Sequence, residues 1–427
     1  MRNPKLSFTL AFLLAIGGHL VAVSALHAQN WPDFRGPTFQ GHSDATLLPV
    51  KWSETENVRW KTEIPGKGWS TPVIWEDQLW LTTATEDGKK LWVLCLNRES
   101  GIIEHQVLAF NIEEPEAINA LNSYASPSPV VDAERVYAHF GTYGTAALDR
   151  KSGRILWVRD DLKLQHKEGP GSSPILDGDR LIVTCDGMDV QYTIALDVKT
   201  GATIWRTDRS IDLTTYQPDT RKAYATPLLA NVAGRPQLIS PGAQAIYGYD
   251  PQTGEELWRF RYSGFSNVAR PLIDDEHIYI NTGYTKPLTL AIKLGGSGDI
   301  TDTHLVWKNT QGNPNKPTPV LIDGLLYLVS DNGGVMTCLD AKTGEKIWSK
   351  RLGGNFSASP LVADGRIYLC DQDGKTYVLK PGREYEELAV NELSDGFMAS
   401  PIAVGNALYL RTKSAVYRIE KPEQAAR

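Results

Sequence analysis

A chain of 427 residues with a formal net charge of −6 and no basic run offers neither the phosphate-neutralising surface a nucleic acid needs nor a polybasic patch for an anionic membrane. Twelve Trp and 17 Tyr against four Met favour β-structure over a helical bundle. The 25 Pro and 37 Gly are spread singly along the chain, which marks many turns rather than one disordered linker.

Residues 1–28 read as a signal peptide for export. Arg2 and Lys5 form a charged start, Leu10 to Ile16 an apolar centre, and Gly17-Gly18-His19 breaks that centre well short of the roughly 20 apolar residues a membrane span requires. Cleavage after Ala28, with Ala25 as the rival, leaves a mature chain without a transmembrane span; the alternative reading is an uncleaved anchor. No Cys stands near either position to carry a lipid anchor. Residues 29–55 form an N-terminal arm. Its WPDFRGP segment (Trp31 to Pro37) is too broken by proline for a regular element and is expected to pack two aromatics onto the domain.

From residue 56 to 427 the chain is repetitive, and Lys342 to Gly382 shows the unit best. Ile347 to Lys350 is a strand carrying Trp348, and Ser357 to Val362 is a second strand entered through Ser359-Pro360. Asp364-Gly365 signals a two-residue hairpin, and Arg366 to Cys370 and Lys375 to Leu379 complete four strands in about forty residues. A similar entry opens an inner strand at Pro72, Pro129, Pro174, Pro227, Pro271, Pro319, Pro360 and Pro401, at spacings of 41 to 57 residues. Outer strands are marked by Trp60, Trp157, Trp205, Trp258, Trp307 and Trp348, with Trp-less copies near His105 and Tyr385.

Close matches to [ST]-G-x-x-x-W recur as SGRILW, TGATIW, TGEELW and TGEKIW, with SGIIEH at 100–105 as a relic. Gly153, Gly201, Gly254 and Gly344 are expected at tight turns of positive φ, and each Trp is expected to pack between neighbouring blades. The last repeat holds three strands, and ENVRWKTEIP (Glu56 to Pro65) supplies its fourth from the N-terminal side. The fold expected is all-β, an eight-bladed β-propeller whose last blade is closed by an N-terminal strand. Cys95, Cys185, Cys338 and Cys370 read as buried free thiols; their spacing neither sets a disulfide pairing nor matches a zinc site.

The signature A-L-D-x-x-[ST]-G-x-x-x-W, seen as ALDRKSGRILW, ALDVKTGATIW and CLDAKTGEKIW, resembles the pyrroloquinoline-quinone (PQQ) repeat. The resemblance spans nearly the whole mature chain and is to the PQQ-like propeller superfamily, which holds both quinoprotein dehydrogenases and non-enzymatic BamB-type outer-membrane assembly factors. A dehydrogenase of this kind implies an adjacent Cys-Cys disulfide over PQQ and a Glu/Asn/Asp set on Ca²⁺. Here no two Cys are adjacent, and no calcium set carries over residue by residue. The resemblance therefore implies an exported, non-catalytic binding or scaffold propeller of the cell envelope, with an envelope protein or peptide segment as partner and no cofactor. The alternative is a PQQ-dependent alcohol or sugar oxidoreductase with Ca²⁺ that lacks the Cys-Cys lid.

Successive strands reverse direction, so the segments before the inner strands and the links between second and third strands meet at one end of the central channel. The first set brings Lys67, Trp69, Tyr124, His166, Lys222, Tyr224, Arg270, Lys316, Phe356 and Phe397 to that mouth; the second brings His139 and Tyr284. Cations outnumber the acids Glu168, Asp189 and Asp395 there, which points to an anionic or polar planar ligand, or a peptide. The plainer alternative is a water-filled mouth lined by packed aromatics. His139 and His166 stand at no recognisable nucleophile spacing and read as structural histidines. GTYGT at 141–145 lacks the helix and Lys-Ser/Thr of a phosphate loop and reads as a tight turn.

Overall fold

Two positive-φ residues in succession suit a hairpin between right-twisted strands, and Asp364 (+49°) and Gly365 (+67°) take that conformation. The computed structural model describes residues 30–422, and the export signal expected at residues 1–28 lies outside the described residues. Eight sheets of four antiparallel strands, two of them extended by a short parallel fifth strand, follow one another around a central channel. In the blade containing that hairpin, the strands are Leu361–Ala363, Arg366–Cys370, Lys375–Lys380 and Glu386–Glu392. Blade 8 contains Ile402–Val404, Ala407–Arg411 and Ala415–Ile419, and its fourth strand is Val58–Glu63. That strand pairs antiparallel to the chain end, from Val58 opposite Ile419 to Glu63 opposite Ala415. The ring is closed by the two chain ends, as the sequence implies.

The motif residues tie each blade to the next. In the Asp-x-x-[ST]-Gly turn, Asp149 Oδ1 accepts the Ser152 backbone N–H (2.8 Å) and hydroxyl (2.6 Å), and Asp197 does the same for Thr200. The Trp of one blade lies on the turn glycine of the next. A Cβ on Gly201 would stand 2.7 Å from the Trp157 ring, and one on Gly254 would stand 2.5 Å from Trp205, so close approach requires glycine as much as the positive φ does. The indole N–H then reaches the same turn: Trp60 to Arg98 O (3.0 Å), Trp157 to Val198 O (3.0 Å), Trp205 to Pro251 O (3.1 Å) and Trp307 to Ala341 O (2.9 Å).

His105, in a Trp-less copy, does the same work. It packs on Gly153 and bonds Lys151 O through Nε2 at 3.2 Å. Trp258 departs from the pattern. Blade 5 replaces the turn with Gly298–Asp299, which pairs parallel to the Trp258 strand, so Trp258 packs over its own blade's Gly248 and donates to Gln237 Oε1 (2.8 Å). Trp348 lies against Tyr385 and donates to Gly382 O (3.1 Å). Gly344 seats Trp307.

The inner strands are shorter than expected. Ser357–Pro360 is not in the ladder, because Pro has no N–H to give and the Ser359 N–H is used elsewhere. The residues preceding the eight entry prolines form a belt around the channel, in which a backbone N–H of one blade donates to the hydroxyl of the next. The links run Thr71 to Ser128, Ser128 to Ser173 and Ser173 to Thr226, then Thr318 to Ser359, Ser359 to Ser400 and Ser400 to Thr71, at 2.9–3.2 Å. Arg270 donates its N–H to Thr318 (2.9 Å) but has no hydroxyl to offer Thr226; its guanidinium Nε bonds Pro227 O instead (2.9 Å).

The N-terminal arm does more than rest on the domain. It crosses the channel beneath this belt. Trp31 exchanges two backbone bonds with Ile74 of blade 1 (2.8 Å each), and Pro32 O accepts from Val131 of blade 2. Gln40 Oε1 accepts from Ile273 of blade 5, His42–Ser43 pairs with Val362–Ala363 of blade 7, and Ser43 Oγ donates to Ala403 O of blade 8. Asp33 and Arg270 form an ion pair with essentially no solvent access. Trp31 is buried, whereas Phe34 faces the channel.

Candidate functional site

A cavity of about 620 Å³ opens at the entry end of the inner strands. Its lower wall is the belt, presenting Thr71, Ser128, Ser173, Thr226, Ser359 and Ser400, with Phe34 of the arm facing in from below. The volume lies in the range of small-ligand sites.

Apolar faces surround the mouth: Trp69, Leu121, Phe265, Val268, Tyr284 and Met398. Trp69 is fixed by its indole N–H to Leu121 O (3.0 Å) and backed by Lys67 Nζ, 5.3 Å from the ring. Phe265 and Tyr284 meet edge to face at 5.8 Å, and Tyr284 is 55% exposed. One wall is charged but internally neutralised. Lys222 Nζ contacts Asp219 and lies 3.5 Å from Glu168, Lys167 pairs with Asp219 at 2.7 Å, and Lys316 lies 3.5 Å from Asp331. Tyr224 donates to the Glu168 carboxylate, and burial, then this bond, pushes its phenol well up. Burial also raises Asp331 against the pull of Lys316.

Of the residues singled out from sequence, Trp69, Lys222, Tyr224, Tyr284 and Lys316 line this cavity. The others do not meet there. Lys67 stands behind Trp69. Tyr124 is buried against Tyr143, with its hydroxyl on Glu116 O (2.7 Å). Phe356 and Phe397 are buried between blades, because their backbone N–H groups bond Asp331 O and Asp371 O and turn the rings inward. Arg270 is held below by Asp33. The expected excess of cations is corrected as well: the three lysines lining the cavity face three carboxylates. Phe34, Asn122, Lys167, Asp219, Phe265 and Asp331 were not singled out. The two longest intervals between entry prolines, 57 and 53 residues, were the available signal for the insertions carrying Asn122 and Asp219.

His139 and His166 are buried, and Gly141 in the turn between strands leaves room for the His166 ring, 2.1 Å from where a Cβ would stand. Burial pushes His139 down to about 3, with His166 adding to the effect, and pushes His166 down to about 4 against the pull of Asp189. Both imidazoles are neutral in the fold at neutral pH, while an unfolded chain protonates them near a pKa of about 6.5. Their contribution to stability is complete above that value. It is lost as pH falls toward about 4, at up to about 1.4 kcal/mol per pH unit per histidine. Urea melts between about pH 7.5 and 4.5 are expected to show this slope, and His139→Gln/His166→Gln to flatten it; equal slopes would assign the acid sensitivity to other groups.

A tricarboxylate quinone on a calcium ion is a poor match for this donor set. The lysines that could hold its carboxylates already hold Glu168, Asp219 and Asp331. The four cysteines are free, buried and in different blades. Burial raises the thiols, that of Cys338 to about 11 and those of Cys185 and Cys370 to about 12. Among the described residues, no three His, Cys, Asp or Glu side chains converge as a metal site.

A family model described as outer membrane protein assembly factor BamB matches residues 45–157, 116–210, 191–298 and 296–381. No curated protein sequence matches. Among solved structures, the chain is similar to BamB from Moraxella catarrhalis, with a TM-score of 0.60 and 16% identity over 85% of this chain and 99% of that one. It is also similar to a europium-containing methanol dehydrogenase, at 0.69 and 12% over 90% of each chain. A quinohemoprotein alcohol dehydrogenase from Comamonas testosteroni gives 0.65 and 12% over 93% of this chain and 82% of that one. At these identities the likeness establishes the propeller fold, which hosts unrelated functions.

Proposed function

The chain belongs to the family described as outer membrane protein assembly factor BamB, and from that premise we propose that it is an exported, non-catalytic binding propeller of the cell envelope that receives its ligand or partner at the channel mouth. The observation carrying this reading is the state of the cavity's charges. Every lysine lining it is spent on a carboxylate of the same wall, which leaves aromatic faces, amides and hydroxyls as the groups free to act. Such a set binds; it lacks an activated nucleophile or a free base. Export is supported by the charged start and short apolar centre of residues 1–28.

Purified protein titrated with PQQ and Ca²⁺ is expected to show neither saturable quinone absorbance changes nor dye reduction with alcohols and sugars. A pull-down from envelope extract is expected to recover an outer-membrane assembly component. Saturable quinone binding with dye reduction would establish the oxidoreductase instead.

A further inference from the structure

We infer that the cavity takes a neutral, hydroxyl-rich ring, a sugar unit, and holds it without reaction; this rests on the binding reading above. Three features of the cavity lead there. The first is charge. An anion or cation would have to break ion pairs already formed along the wall, whereas a neutral ligand leaves them intact.

The second is the inventory of unspent hydrogen-bonding groups. In the belt, each lining hydroxyl oxygen already accepts a backbone N–H from the neighbouring blade. Among the described residues the hydroxyl protons themselves have no acceptor, so the belt offers donors. Glu168 and Asp219, in the wall, stay accessible beside their lysines, and a carboxylate has more lone pairs than those contacts use. A cavity with unspent donors below and an unspent acceptor in its wall is complemented by a group that both donates and accepts. A ligand hydroxyl is such a group.

The third is shape. Trp69 and the Phe265–Tyr284 pair present aromatic faces at the mouth, matched by the flat C–H faces of a pyranose ring. An extended peptide needs a groove or a free sheet edge along which to run. This cavity is instead a cup, with the arm across its lower end.

The test is calorimetric titration of the mature protein with maltose, cellobiose, lactose and N-acetylglucosamine, beside sodium phosphate and a capped aromatic peptide. At least one neutral sugar should bind saturably, with affinity unchanged by added NaCl. Tyr284→Ala should weaken binding about tenfold. It should fold with unchanged melting, because Tyr284 is exposed.

Absence of saturable sugar binding up to about 50 mM, or binding of phosphate or peptide in its place, overturns the inference. A sugar that binds and reduces dye once PQQ and Ca²⁺ are added leaves the sugar site standing and removes the non-catalytic reading. Sugar silence beside recovery of an assembly component does the reverse.

Discussion

Deleting Val58–Glu63 is expected to abolish the cooperative thermal transition of the whole protein. The strand supplies the last ladder of blade 8, from Val58 opposite Ile419 to Glu63 opposite Ala415. It also ties blade 8 to blade 1. Trp60 lies on Gly101, 6.1 Å from the Tyr409 ring, and donates to Arg98 O, while Thr62 Oγ1 donates to Gly101 O at 2.7 Å. Without it, the edge of Ala415–Ile419 is unpaired and the face of blade 1 is bare. Trp60→Ala is a graded version and is expected to cost about 3–5 kcal/mol, because it removes a large interblade side chain and its hydrogen bond together. Calorimetry checks both. A deletion variant with an unchanged, single sharp transition would mean that the arm, which also joins blades 1, 7 and 8, suffices to hold the ring.

What the sequence displays of this fold follows from what repeats. Gly201 and Trp205 stand at fixed offsets in each copy, so a period and a closing strand could be read directly from their recurrence. Their partners could not, because Trp157 seats on the Gly201 of the following blade, a contact set by the angle between sheets rather than by any local pattern. His105 shows the same limit: its role as a Trp substitute is visible only once Gly153 and Lys151 lie against it. At the channel mouth, loop position brings Trp69 and Tyr284 to the cavity but not Phe356 and Phe397, since a residue before an inner strand turns inward or outward according to which backbone bond its neighbours make.

The apparent cationic rim failed for a related reason. Lys222 lies beside Glu168 and Lys316 beside Asp331, acids from other loops, while Asp219, three residues before Lys222, fell outside the count of the rim. WPDFRGP was legible as a special segment but not as a crossing of the channel. Nothing in seven residues reveals that Asp33 will meet a residue 237 positions away.

That meeting gives the second large effect. Asp33→Ala is expected to destabilise the protein by about 3–5 kcal/mol, the cost of leaving a buried guanidinium without its counter-charge. Arg270 also lies close enough to Arg35 to depress it, and burial and Arg270 together hold Arg35 down at about 9 against the pull of Asp33. Removing Asp33 therefore leaves two buried cations facing each other. The seven other stations of the belt indicate the remedy. Arg270 stands where the other blades carry Ser or Thr, and Thr226 is the one belt residue whose N–H meets no hydroxyl of the next blade.

Arg270→Thr should supply that hydroxyl; alone it takes the ion-pair partner from Asp33 but leaves Arg35 as a nearby counter-charge, so it is expected to cost less than Asp33→Ala. In Asp33→Ala/Arg270→Thr both charges leave together, the opposed effects on Arg35 offset each other, and the belt closes at its eighth link. The double variant is expected to lie within about 1–2 kcal/mol of the parent, so the cycle should give a coupling of several kcal/mol by urea denaturation. Additive losses would show that Asp33 and Arg270 stabilise the arm through separate contacts, and that the belt gains nothing from an eighth hydroxyl.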